Sequence, residues 1–269
     1  MIPAAKSRWF TAWFEQQARQ RLRASFGALH VAGCERLSEA LARGPVLVVS
    51  NHCAWWDPLV ALVLTRRHVP ADAYALMDAA NLRVRPFFAK VGAFGVDRGS
   101  RRDGAEATRH AASLLDRPGR LVWVFPQGEE RPWHERPLRF FGGAASIARA
   151  VPRAAIVPVG LAYAFGSVAA PSVYVAVGSP LEPATTTGAA RRMQVEAVEA
   201  ELGRIEHELS RPGTQGFETH ELARPSRLEA LADLALAVLT RPFVPGLRAP
   251  RATSPRALAP EGPAGDREA

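Results

Sequence analysis

Twenty-eight consecutive residues, Ala154 to Leu181, carry no charged side chain. A bilayer span needs about 20 apolar residues, so the stretch is long enough to cross a membrane. It is interrupted, however, by Pro158, Gly160, Gly166, Pro171, Gly178 and Pro180. Its apolar runs are short and rich in Val, Ile and Tyr, which reads as two buried strands joined by a turn. Pro45–Ser50 after Gly44 and Leu121–Phe125 after Pro118-Gly119 are further runs of this kind. Strands with no polar alternation are buried on both faces, and that requires a sheet with helices on each side.

The rest of the chain supplies those helices. Pro58–Arg66, a helix containing Ile147–Ala150, and Arg191–Leu209 have helical patterning, the last with Val198, Leu202, Ile205 and Leu209 on one side. Asp103 with Glu106 forms a capping box ahead of Ala107, Ala111, Leu114 and Leu115. Ala71–Met77 and Phe94–Val96 read as weaker strands. The expected fold is α/β: a mixed, largely parallel sheet flanked by helices, with an amphipathic helix at the N-terminus. Residues 1–30 form that helix, 31–210 the α/β domain, 211–247 a C-terminal helical extension and 248–269 a disordered tail. The extension is expected to hold a helix through Leu239, capped by Ser226 and Glu229; the tail has four prolines and no aromatic residue.

Trp9, Phe10, Trp13, Phe14, Ala18, Leu22 and Phe26 recur at helical spacing, opposite Gln16, Gln17, Arg19, Arg21 and Arg23. Residues 1–30 hold five cations against Glu15. Such a helix suits a membrane interface, with rings at the headgroup boundary and cations near anionic lipid. It equally suits packing on a protein core. No cleavable signal is expected, because Glu15, Gln16, Gln17 and Arg19 interrupt the first segment. All but Lys6 and Lys90 of the 34 Lys plus Arg residues are arginines, and the formal charge is +8. The two cysteines, Cys34 and Cys53, suit a reducing compartment and no disulfide framework.

The strand Pro45–Ser50 runs into Asn51-His52, and Asp57 follows five residues after the histidine. A turn after a buried strand is where α/β folds present reactive groups. If the chain turns back through Ala54-Trp55-Trp56, the Asp57 carboxylate reaches the His52 ring and fixes its tautomer, leaving the other nitrogen as a general base. The competing reading is that Asp57-Pro58 merely caps the next helix. Three more blocks follow at strand ends or starts: Phe94-Gly95-Val96-Asp97-Arg98, with Arg101 close behind, then Phe125-Pro126-Gln127-Gly128, then Val157-Pro158-Val159.

With these four blocks the sequence resembles the glycerolipid acyltransferase superfamily, the 1-acylglycerol-3-phosphate acyltransferases, from about residue 40 to residue 180. The family's N-H-x-x-x-x-D motif is matched in full by N-H-C-A-W-W-D. Its G-x-x-F-[IV]-x-R block is matched at Gly92, Val96 and Arg98, with Gly95 in the aromatic slot. The F-P-E-G-T-R-S motif reads F-P-Q-G-E-E-R here, with Gln127 in place of the acid and the arginine displaced to Arg131. The resemblance implies that His52 deprotonates an acceptor hydroxyl with Asp57 as its partner. Asn51, Arg98, Arg101, Phe125, Pro126, Gln127, Gly128, Arg131 and Pro158 would contact substrate: Arg98 and Arg101 as the clamp for an acceptor phosphate, Gly128 by close backbone approach, and Pro158 as a wall near the thioester.

An O-acyltransferase follows from this resemblance, peripheral on the cytoplasmic face of a membrane, with acyl-CoA or acyl carrier protein as donor and no bound cofactor. Its acceptor would be a lysophosphatidate-type lysolipid or, given Gln127, Glu129 and Glu130, a lipid hydroxyl without phosphate. No His or Cys spacing suits a metal site. A basic nucleic-acid-binding module is the main rival, and its aromatics are not interleaved with arginine, so no nucleic acid is expected. A non-catalytic lipid binder and a thioesterase-like hydrolase are the others. Cys53 reads as structural, since neighbouring side chains point apart.

Overall fold

A residue buried on both faces of a strand has only other apolar groups to meet, so such strands collect at the centre of a sheet. The computed structural model describes residues 1–166, 170–211 and 215–222. In chain order its elements are α1 (Arg8–Ser25), β1 (Ala28–Ala32), α2 (Cys34–Arg43), β2 (Val46–Ser50), α3 (Asp57–Val63), β3 (Asp72–Asp78), α4 (Ala79–Val84), β4 (Ala93–Val96), α5 (Arg101–Leu114), β5 (Arg120–Val124), α6 (Gly143–Ala150), β6 (Ala155–Ala164), β7 (Ser172–Val177), α7 (Thr187–Leu209) and β8 (Glu218–Glu221). One π-type turn, Leu64–His68, prolongs α3, and a 3₁₀ segment, Pro86–Val91, leads into β4.

The strands form one sheet in the order β4-β3-β5-β2-β6-β7-β1-β8. Pairing is parallel from β4 through β6 and between β7 and β1, and antiparallel at β6–β7 and β1–β8. The mixed, largely parallel sheet flanked by helices is therefore the observed fold. The uncharged stretch supplies β6 and β7, which pair antiparallel as adjacent strands. Pro158 is tolerated inside β6 because its own carbonyl accepts from Gly178 N–H at 2.9 Å, on the β7 side. A strand residue's N–H and C=O point the same way, so the donor it lacks faces beyond the first β6–β7 rung, Val159↔Val177.

Alternation along the central strands builds two cores. Val46 and Val48 of β2, with Leu121 and Trp123 of β5, face α1, α2 and α3. Leu47 and Val49, with Val122 and Val124, face α5, α6 and α7. Val198, Leu202 and Ile205 of α7 are buried as its pattern predicts. The helix after Gly99 begins earlier than the Asp103–Glu106 capping box places it. Ser100 is the cap, its hydroxyl accepting from Asp103 N–H at 3.2 Å. The Asp103 carboxylate instead pairs with the amino group of Met1 at 2.7 Å.

The N-terminal helix is shorter than the expected 1–30, since it ends at Ser25 and residues 28–30 already belong to β1. Ala18, Leu22 and Phe26 enter the core beneath α3. Glu15 is buried too, because Arg67 from the π-type turn donates to both its oxygens at 2.8 and 3.1 Å. Toward the N-terminal end, Trp9 is 76% exposed and Trp13 37% exposed. The compact unit runs from Met1 to Pro225, so α1 is packed into the same body as the sheet. Within the expected helical extension 211–247, Glu218–Glu221 instead form strand β8 by pairing with β1; the second expected capping box, its helix through Leu239 and the tail lie outside the described residues.

At Gly160 the strand β6 meets α7 so closely that a Cβ would lie 3.0 Å from Glu201 C and Leu202 N, both backbone atoms. Gly160→Val is therefore expected to cost about 1–3 kcal/mol of stability through overpacking, measured by urea unfolding. An unchanged midpoint would show that α7 shifts freely on the sheet.

Candidate active site

The site begins where β2 stops. Ser50 is the last residue in register with β6, opposite Val159. The Asn51 side chain then takes over: its amide nitrogen donates to Leu161 O at 2.9 Å and its oxygen accepts from Leu161 N–H at 2.8 Å. Asn51 thus anchors the turn to β6, and its functional group is spent on the backbone.

Asp57 is the first residue of α3, and its carboxylate turns back toward the residues before it. The side chain has 0% exposure. Its Oδ2 accepts from Cys53 N–H at 2.6 Å, from Ala54 N–H at 3.0 Å and from His52 Nδ1 at 2.7 Å. The other oxygen accepts from the Tyr163 hydroxyl at 2.7 Å. A buried charge survives only when surrounded by donors in this way. An ionised carboxylate only accepts, so Nδ1 of His52 carries its proton and Nε2 presents a lone pair.

The backbone of His52 is fixed from the neighbouring loop. Its N–H donates to Gln127 Oε1 at 2.7 Å, and its carbonyl accepts from Arg131 N–H at 2.8 Å. The ring stacks on Phe125 with centroids 4.8 Å apart. Burial and the Asp57 charge push the Cys53 thiol far above its ordinary range, so this neighbour of the histidine stays protonated. The same two causes raise the Tyr163 hydroxyl well above the usual phenol value, which keeps it a donor.

A cavity of about 410 Å³ opens beside His52, and Arg98, Arg101, Phe125, Pro126 and Gly128 line it as well. Arg98 is 45% exposed, with Nε 3.0 Å from Asp78 Oδ2. Its guanidinium carbon lies 5.8 Å from the centroid of the Phe141 ring. Gly128 has φ +70°, and a Cβ there would come within 2.5 Å of the Arg98 guanidinium. A side chain at 128 would both strain the turn and displace the arginine. Arg101 stands at the first position of α5.

Four of the residues expected to contact substrate, Asn51, Gln127, Arg131 and Pro158, do not line this cavity. Pro158 lies within the sheet and not on the cavity wall. Arg131 points into a separate groove of about 240 Å³, where it pairs with Glu129 and Glu135. Glu129 goes with it, held below the usual carboxylate range by the Arg131 hydrogen bond, so neither Glu129 nor Glu130 lines the His52 cavity. Gln127 is buried behind the turn, its oxygen already used by His52. Sequence reasoning missed Tyr163, which is 106 residues from Asp57 and carries no local signal. It also missed Asp78, the partner of Arg98 and the cap of α4.

Among the described residues no group of three His, Cys, Asp or Glu side chains lies close enough to hold a metal ion. None of the described helices is long and apolar enough to cross a membrane. The family model described as Acyltransferase matches residues 28–162, which span β1 to β6 and every residue of the His52 turn. No curated protein matches in sequence. In fold the chain is similar to the crystal structure of the 1-acyl-sn-glycerophosphate acyltransferase PlsC from Thermotoga maritima. The TM-score is 0.52 at 15% identity, over 76% of this chain and 80% of that one.

Because Gln127 acts through one acceptor oxygen, Gln127→Glu is expected to keep kcat within about tenfold. Gln127→Met leaves the His52 N–H unpaired, at a cost of about 1–3 kcal/mol. It should lower both the melting temperature and kcat, read by circular dichroism and initial rates.

Proposed function

Because this chain belongs to the acyltransferase family, we propose that it moves a fatty acyl group from a thioester of coenzyme A or acyl carrier protein to a lipid hydroxyl, with 1-acylglycerol-3-phosphate or a related lysolipid as the acceptor. The observation that carries this reading is the His52–Asp57 pair, 2.7 Å apart, at the mouth of an apolar cavity that also presents Arg98 and Arg101. His52 Nε2 takes the proton of the acceptor hydroxyl as its oxygen attacks the thioester carbonyl. The tetrahedral adduct then collapses, the C–S bond breaks, and the leaving thiolate recovers the proton from His52. Asp57 holds the ring and stabilises the transient imidazolium. The products are the ester and a free thiol.

Arg98 and Arg101 supply two cations on the wall for an acceptor phosphate. Gln127 is neutral, and the two glutamates stand off the cavity wall with Glu129 paired to Arg131, which weakens their opposition to that phosphate. A phosphate-free hydroxyl acceptor is the second reading, favoured by Asp78, which already neutralises part of the Arg98 charge. Purified enzyme offered a panel of lysolipids and acyl thioesters should yield a diacyl product by lipid mass spectrometry. His52→Ala should reduce that rate by about 10²–10⁴ while leaving the fold intact. Arg98→Ala should cost about 1.5–3 kcal/mol in kcat/KM with a phosphorylated acceptor and little with a neutral one. Free fatty acid as the sole product would make the protein a hydrolase. A wild-type preference for the neutral acceptor, undisturbed by Arg98→Ala, would select the second reading.

The reading includes peripheral attachment to the cytoplasmic surface of an anionic membrane. It is supported by exposed Trp9, Trp13, Val84 and Phe87, and by ring contacts that run from Trp13 through Phe14 to Phe87 and Phe88. Phe14 and Phe88 also line the cavity, so the apolar surface is continuous with it. Arg8 and Lys90 flank this patch, Lys90 lying 5.6 Å from the Phe10 ring centroid. A cation near such a surface contributes about 1 kcal/mol. Removing the whole helix would also remove Ala18, Leu22 and Phe26 from the core, so the test uses exposed rings only. The double variant Trp9→Ser, Trp13→Ser should lose most binding to anionic vesicles with no change in melting temperature. Flotation equal to wild type would place these rings outside any membrane contact.

A further inference from the structure

The cavity beside His52 is lined from both faces of the sheet. On the α3 face its wall is Pro58, Ala61, Leu62 and Thr65, one helical stripe, with Ala75 of β3 and Trp123 of β5. On the α5 face its wall is Gly104, Ala107 and Thr108, with Ile147 of α6, Leu76 of β3 and Val124 of β5. The sheet is open between these walls. The β3–β5 ladder ends at Ala75↔Trp123, beyond which β3 continues to Asp78 against β4 only. Meanwhile β5 continues to Val124 against β2. Leu76 and Val124, the first residues past the last shared rung, both line the cavity.

A single lipid chain needs one groove. Two apolar limbs that meet beside His52 fit a reaction whose donor and acceptor each carry a chain. We propose that the cavity forks around β3 and holds the two hydrocarbon chains of the reaction on opposite faces of the sheet. The acceptor's chain takes the α5 limb and the donor's the α3 limb. The assignment follows the charges: Arg101 opens the same helix that carries Gly104, Ala107 and Thr108, so a phosphate bound there puts its own chain along α5. The α3 limb is then left for the donor's chain, and its wall of Pro58, Ala61, Leu62, Ala75 and Trp123 is apolar.

This inference rests on the proposed transfer to a lysolipid, and the two can be tested separately. Gly104→Leu adds a side chain to the α5 wall where a Cβ would have no atom within 4 Å. Ala75→Leu fills the α3 limb, and Ala73→Leu, two residues earlier on the same face, replaces it if that variant does not fold. Each variant is assayed with medium- and long-chain acyl thioesters on one acceptor, and with medium- and long-chain lysolipids on one donor. Gly104→Leu should lower kcat/KM for long-chain acceptors by about tenfold or more relative to medium-chain ones, with the donor profile unchanged. Ala75→Leu should do the reverse. Both variants shifting the same substrate, the opposite assignment, or no shift in either profile would overturn the fork as assigned, with wild-type transfer still standing. Wild type that esterifies no lysolipid would overturn the proposed function and this inference with it.

Discussion

Asp57 is a carboxylate with no exposure, and most of the site's geometry can be traced to the need to satisfy it. Two backbone N–H groups, one imidazole and one phenol converge on it. Those donors come from both sides of the turn and from β6, so the loop after β2 has one conformation in which the charge is met. Removing any donor leaves the others short of the requirement, because the low local dielectric makes an unpaired buried charge costly. The histidine's tautomer is a by-product of that arrangement. Phe26, at the end of α1, packs on both Trp56 and Tyr163, which links the N-terminal helix to the same cluster.

The fold was legible in the sequence wherever burial was two-sided. Pro45–Ser50 and Leu121–Phe125 each yielded a strand and the uncharged stretch two, because such runs have no alternative but the middle of a sheet. The elements missed were β1, α2, α4 and β8, short pieces whose residues carry mixed signals. His220 and Glu221 of β8 fall in the segment expected to be a helical extension, and only pairing with β1 makes them a strand. The N-terminal helix was legible as a helix, but its buried stripe, Thr11, Glu15, Ala18 and Leu22, includes two polar residues. Pairing of Glu15 with Arg67, 52 residues away, is invisible to a periodicity count.

The site was legible where chemistry is local. His52 and Asp57 are close in sequence and meet; Arg98, Arg101, Phe125, Pro126 and Gly128 share the cavity with the histidine. Tyr163 and Asp78 could not be found, since each matters only through a partner brought by the fold. Pro158 and Arg131 are the converse case, residues that the blocks single out and the fold keeps off the cavity wall. Both sit in blocks that the resemblance marks as substrate-binding, yet one is a sheet interior residue and the other serves the loop through its backbone N–H.

Gln127 departs from the expected acid and still has a defined task in this fold. What position 127 contributes here is a single oxygen lone pair, aimed at the His52 N–H from 2.7 Å away. An amide and a carboxylate are interchangeable for that purpose, whereas they differ completely in charge. A search written as an acid at this position would discard the chain; one written as a hydrogen-bond acceptor of this length would keep it. A chain with glutamine after F-P therefore still fixes its histidine turn, because what the turn takes from position 127 is an acceptor and not a charge.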